Sequence, residues 1–154
     1  MNEKKTIDLT GVVVAVDFDG TCVYHDFPEI GEAVPDAIFA LKLMVQAGAQ
    51  LVLYTMRADT DKRKCLTEAI GWFITHDIPL LGVNINPTQR EWTTSPKVYA
   101  NLYIDAAAVG CPLAFDKTRH RRPFVYWRAV LEYLAAYEKH APSIIPAKAK
   151  IVTE

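Results

Sequence analysis

Gly11-Val12-Val13-Val14-Ala15-Val16-Asp17-Phe18-Asp19-Gly20-Thr21 is the stretch that decides the fold. Its first six residues are small or β-branched and do not alternate with polar ones, the pattern of a strand covered on both faces. The run stops abruptly at an Asp-x-Asp-Gly-Thr turn. Working outward, the same alternation of elements recurs. Ala37, Ile38, Leu41, Met44 and Val45 fall at helical spacing, with Pro35 read as a first-turn residue and Gly48 as the stop. Leu51-Val52-Leu53-Tyr54 reads as a second strand ending at Thr55-Met56-Arg57, and Leu66, Ala69, Ile70 and Phe73 form one stripe of a second helix. Pro79 marks its exit. Leu80 to Asn84 is a short third strand, and Asn101-Leu102-Tyr103-Ile104 a fourth that ends at Asp105. After Gly110-Cys111-Pro112, a last helix is expected over about 122–140, followed by a tail, 141–154, with Pro142 and Pro146.

Strand and helix in alternation predict an α/β chain, a three-layer Rossmann-like domain built on a mainly parallel sheet. With 154 residues and no linker, repeat or low-complexity tract, one domain over 1–154 is expected. Half the residues are hydrophobic (51%) and 23% are charged, which supports a folded core and argues against disorder. A formal net charge of −1 gives no global electrostatic case for nucleic acid or a membrane surface. Lys117, Arg119, His120, Arg121, Arg122 and Arg128 make one local basic stretch, read as a solvated helix start. Cys22, Cys65 and Cys111 are odd in number and lack a Cys-x-x-Cys spacing, so neither a disulfide framework nor a zinc site is expected. No apolar run reaches the ~18 residues of a membrane span, and no signal-peptide stretch opens the chain. The expectation is cytoplasmic.

In open parallel sheets, ligands bind outside the carboxyl ends of the strands. Asp17 and Asp19 follow the first strand, Thr55 the second and Asp105 the fourth, and Lys97 precedes the fourth. Three carboxylates, a hydroxyl and an ammonium suit a phosphoryl ester with a hard divalent cation. Phosphoryl charge must be neutralised before an anionic nucleophile approaches. Mg²⁺ does so with only one or two protein carboxylates, and Lys97 and Thr55 add a point charge and a directional donor. One carboxylate can attack phosphorus while a second passes a proton to the leaving oxygen.

These residues resemble the haloacid dehalogenase-like hydrolases. Asp17-Phe18-Asp19-Gly20-Thr21 matches that family's first motif at full length, and Leu51 to Thr55 looks like its second. Lys97 stands where the third-motif lysine belongs, and Ile104-Asp105 looks like the fourth motif. The resemblance covers roughly residues 11–113. It implies that Asp17 is the nucleophile, forming an aspartyl phosphate, and that Asp19 is general acid and then base, its carbonyl also touching the metal. Thr55 and Lys97 would hold the phosphoryl oxygens, Lys97 would restrain Asp17, and Asp105 would bind Mg²⁺ beside Asp17. The family's second fourth-motif acid is missing: Ala106, Val109 and Gly110 occupy its places, so weaker metal binding is expected while the direct ligand remains. Residues 22–34 and 57–96 are too short for a cap domain, which makes this a capless member. An open site of that kind implies a large substrate or a subunit closing over it.

The expected function is therefore a Mg²⁺-dependent phosphomonoester hydrolase acting on a small phosphorylated substrate. Arg57 and His25 are further substrate-contact candidates, and Asn84 and Asn86 are read as turn formers beside Pro87. Two rivals stand beside this reading. One is a catalytically idle binding or assembly protein of the same fold. The other is a phospho-receiver signalling module, disfavoured because its phosphorylated Asp ends a later strand. In the last helix, Phe124, Trp127, Leu131 and Leu134 form one stripe and Tyr126, Val130, Tyr133 and Tyr137 another. A helix apolar on two faces is sandwiched or lies at an interface, which points to a homo-oligomer contact there. Basic residues beside aromatics also suit nucleic acid, a reading disfavoured by the near-zero charge.

Overall fold

The computed structural model describes residues 6–118 and 122–140. Four strands, β1 (Val13–Val16), β2 (Gln50–Leu53), β3 (Gly82–Val83) and β4 (Leu102–Ile104), make one sheet in the order β3-β2-β1-β4, every pair parallel. The helices are α1 (Ala37–Gln46), α2 (Cys65–Thr75) and α3 (Trp127–His140). The chain is thus α/β with a parallel sheet flanked by helices, a Rossmann-like layered fold.

Register explains why β1 is apolar throughout. Val14 lies opposite Leu51 and Leu102, and Val16 opposite Leu53 and Ile104. On that face they join the main core with Ala37, Leu41 and Met44 of α1, Ala69 and Phe73 of α2, and Val130 and Leu134 of α3. Val13 and Ala15 point the other way and pack with Val52, Val98 and Ala100 in a smaller cluster. The layer on this second face is thin: it is the segment between β3 and β4, carrying one 3-10 turn, Pro87–Glu91.

Gly48 ends α1 as expected, at φ +98°, where a side chain would crowd Thr10. Pro35, expected in the first turn, lies before it, because Asp36 is the N-cap and Ala37 the first helical residue. The last helix also starts later than expected. Phe124 and Val125 form β6, paired antiparallel with β5 (Leu113–Ala114). The reason is pairing: Val125 and Phe124 are held extended opposite Leu113 and Ala114, and the first helical bond runs from the Val130 N–H to the Tyr126 carbonyl. Within α3, Trp127, Val130 and Leu134 face the core while Tyr133, like Tyr126 just before the helix, is exposed. The three cysteines are free thiols, with Cys22 and Cys65 buried. Among the described residues no helix is long and apolar enough to cross a membrane. The expected tail, 141–154, and Arg119, His120 and Arg121 of the basic stretch lie outside the described residues.

Candidate functional site

Asp17 is the first residue beyond β1, and its N–H donates to the Ile104 carbonyl at 3.0 Å. Asp105 is the first residue beyond β4, one step past the Val16–Ile104 register pair. Two adjacent parallel strands therefore end in carboxylates side by side. Thr55 follows β2 on the other flank of β1. Asp17, Asp19, His25, Phe27, Thr55, Met56 and Arg57 line one cleft of about 310 Å³ at these strand ends.

Burial dominates the Asp17 carboxyl and raises it from 3.8 to about 7, and the charges of Asp105 and Asp19 push the same way. The Phe18 N–H and the Thr21 hydroxyl pull it back only in part. Thr21 is buried, its hydroxyl 3.3 Å from Asp17 Oδ2, and it also accepts the Ala106 N–H at 3.2 Å. Among the described residues no cation pairs with Asp17. Lys97, expected to restrain it, is exposed, with its ammonium 5.7 Å from the centre of the Tyr103 ring. Tyr103 lies two residues before Asp105, on the sheet face that Asp17 shares with Ala15. Among the described residues the lysine makes no ion pair with Asp17.

Asp19 turns to Arg57. Nε meets Oδ2 and Nη2 meets Oδ1, each at 2.7 Å. Arg57 is only 2% exposed; it also donates to the carbonyls of Pro28 and Glu29, and its guanidinium lies over the rings of Phe18 and Phe27. With four N–H groups committed inside the protein, Arg57 is an internal tie, whereas the sequence had offered it as a substrate contact. The signal for this role lay in the aromatic and loop neighbours, which sequence spacing does not reveal.

Thr55 is buried and held from two sides. Its N–H donates to Asn84 Oδ1 at 2.8 Å, and its hydroxyl accepts the Arg57 N–H at 3.2 Å. Asn84, read as a turn former, does sit at positive φ (+53°), and its side chain fixes Thr55 as well. Asn86 is fully buried, capping the 3-10 turn through Thr88 and donating to the Tyr99 carbonyl. His25 is exposed at the cleft mouth, 3.0 Å from Arg122 Nη1. Thr21 and Arg122 are the neighbours that sequence reasoning had not assigned to the site.

Asp17, Asp19 and Asp105 were expected to share a metal. Among the described residues no three acidic, His or Cys side chains cluster as a metal site. Both Asp19 oxygens are on Arg57, Asp105 Oδ1 accepts the Ala107 N–H at 2.7 Å, and Asp17 Oδ2 lies 3.3 Å from the Thr21 hydroxyl. Asp17 and Asp105 repel one another, and among the described residues no cation pairs with either. A hard divalent ion fits this pair, since Mg²⁺ keeps several waters and needs only one or two carboxylates.

No family model matches the chain, and no curated protein does. A solved structure, that of a conserved protein from Bacteroides thetaiotaomicron, matches at 30% sequence identity with a TM-score of 0.65, over 84% of this chain and 94% of that one. The chain belongs to that protein's family. The match supports the layered α/β fold. The family's fold is what sets the strand ends of Asp17, Thr55 and Asp105 side by side.

Proposed function

We propose that the protein is a Mg²⁺-dependent phosphomonoester hydrolase of the haloacid dehalogenase-like type, acting through an aspartyl phosphate on Asp17. The observation that carries this reading is the meeting of Asp17, Asp19 and Thr55 in one cleft, with Asp105 at the adjacent strand end. Asp17 attacks phosphorus with one carboxylate oxygen, a new P–O bond forms and the bond to the ester oxygen breaks. The leaving oxygen takes a proton from the Asp19 carboxyl. Water then attacks the phosphorus, gives its proton to Asp19, and the bond to Asp17 breaks, releasing orthophosphate. Thr55 still has its hydroxyl proton to offer a phosphoryl oxygen, and Lys97 supplies positive charge from the Tyr103 side. Mg²⁺, held by Asp17, Asp105 and the Asp19 carbonyl, supplies charge neutralisation when bound.

Asp19 adds a condition. Both its oxygens accept from Arg57, so a proton carried by Asp19 has to use one of the remaining lone pairs. The same fact favours the competing reading, a catalytically idle binding protein. Phosphate release from p-nitrophenyl phosphate with and without Mg²⁺ separates the two. Turnover that Asp17→Asn lowers on the order of 10⁴-fold or more, with circular dichroism unchanged, supports the hydrolase. Full activity in the purified variant, or none in the wild type, overturns it.

We also infer a contact with a second copy of the chain through α3, supported by Tyr133, which is 58% exposed and stacks on Tyr137. Sedimentation velocity of the wild type and Tyr133→Glu tests it. A shift from dimer to monomer is expected, and a monomeric wild type overturns it.

A further inference from the structure

His25 and Arg122 are 97 positions apart in sequence, yet Arg122 Nη1 lies 3.0 Å from His25 Nε2. The scaffold that brings them together is specific. Tyr24 and Phe124 pack edge to face at 4.9 Å between ring centres, and both are buried. His25 is the residue after Tyr24, and Arg122 stands two before Phe124. The Val125 N–H fixes the same segment to the Gly20 carbonyl at 2.9 Å. The pair is therefore built into the junction of β6 with the aspartate loop.

The chemistry of the pair follows from what each group can do. A guanidinium only donates, so Nε2 accepts and the ring proton sits on Nδ1. Beyond that contact the pair has Nδ1–H and the remaining guanidinium N–H groups to offer. It offers donors alone, and they carry positive charge. Among the described residues no carboxylate lies within ion-pairing distance of Arg122, whereas the charge of Arg57, deeper in the cleft, is matched by Asp19. His25 lines the cleft that holds Asp17 and Thr55. A donor fork of this kind at the mouth recognises an oxyanion, and an arginine does so with two parallel bonds.

We infer that His25 and Arg122 select substrates bearing a second oxyanion, a phosphate or a carboxylate, beside the phosphoryl group that is hydrolysed. This rests on the phosphatase reading for the chemistry, but not for the binding. Among the described residues no separate domain covers the cleft, so discrimination falls to its rim, where this pair lies.

The test compares propane-1,3-diol bisphosphate and 2-phosphoglycolate with p-nitrophenyl phosphate, which has no second anion. The wild type is expected to show higher kcat/KM for one or both of the doubly anionic esters. Arg122→Gln and His25→Gln are each expected to lower the ratio of doubly to singly anionic kcat/KM about tenfold, through KM. Loss for the bisphosphate alone assigns the second group as phosphate, and loss for both assigns any oxyanion. Hydrolysis with a ratio that neither variant changes overturns the inference and leaves the phosphatase reading intact. Should no ester be hydrolysed, that reading fails and the inference is decided by calorimetry of the bisphosphate. Binding to the Asp17→Asn protein that Arg122→Gln weakens about tenfold sustains it. Undetectable or unaltered binding overturns it.

Discussion

Arg57 grips the Asp19 carboxylate through two parallel bonds of 2.7 Å, with the guanidinium side chain 1% and the carboxylate side chain 14% exposed. The same guanidinium holds the carbonyls of Pro28 and Glu29, so one buried cation joins β2, the aspartate loop and the loop lining the cleft. Glu29 is tied a second time, by Arg63, whose side chain also meets Glu68.

Removing one partner of such a pair leaves an uncompensated charge in a poorly hydrated place. Arg57→Ala is expected to cost about 3–5 kcal/mol in urea unfolding, and Asp19→Asn in the same chain to recover part of it. Arg57→Lys restores the charge without the fork, so it is expected to recover stability only partly. A loss below 1 kcal/mol for Arg57→Ala contradicts this account.

Asp17 makes the fold pH-sensitive in a defined direction. Burial and the neighbouring charges of Asp105 and Asp19 hold its carboxyl at about 7, against an unfolded value near 3.8. The folded state therefore binds the proton more tightly, and its contribution is complete below pH 3.8 and lost as pH rises through about 7. Metal-free wild type is expected to lose stability relative to Asp17→Asn between pH 4 and pH 8, by a few kcal/mol at most, on the order of 4. Mg²⁺ is expected to restore stability to the wild type at pH 8 and not to the variant. A difference between the two proteins that stays constant across this range rules out the assignment.

Trp127 is fully buried and its Nε1–H donates to the Thr21 carbonyl at 2.8 Å. Thr21 in turn bonds Asp17 and Ala106. Trp127→Phe keeps most of the packing but orphans that carbonyl. A loss of about 1–3 kcal/mol is expected in chemical denaturation, with a lower kcat for phosphate release. Unchanged kcat would show that the helix start does not position the aspartate loop.

Gly31 approaches the Tyr24 backbone so closely that any side chain would strike its carbonyl. Gly31→Ala is expected to force apart the loop whose Tyr24 N–H meets the Glu32 carbonyl, at a cost of about 1–3 kcal/mol. The melting temperature reads this directly. Because His25 follows Tyr24, selectivity at the cleft mouth is expected to weaken in the same variant.

The sheet was legible because β1 is apolar on both faces, and Asp17, Thr55 and Asp105 follow directly from strands that end where periodicity says. Phe124 and Val125 were not legible. The spacing of Phe124 with Trp127, Leu131 and Leu134 continues a helical stripe, and only pairing with Leu113 and Ala114, together with the Gly20 acceptor of Val125, makes the two residues extended. The internal bonds of Arg57 were not legible for a related reason. A cation three residues beyond a strand faces substrate or protein according to what packs around it, and here Phe18, Phe27 and two loop carbonyls come from elsewhere in the chain. Lys97 illustrates the limit of motif order, which does not fix the group a side chain touches.

The bonds from Val125 to Gly20 and from Trp127 to Thr21 have a consequence for how the protein is made. Loop and fastener are more than a hundred residues apart, among the most distant contacts the chain forms and the slowest to close. During synthesis β1, β2 and β3 emerge and can pair while the turn bearing the two aspartates still lacks its last supports. Competence therefore arrives with the final helix, and a ribosome-stalled chain released short of residue 124 is expected to be α/β in character yet inert.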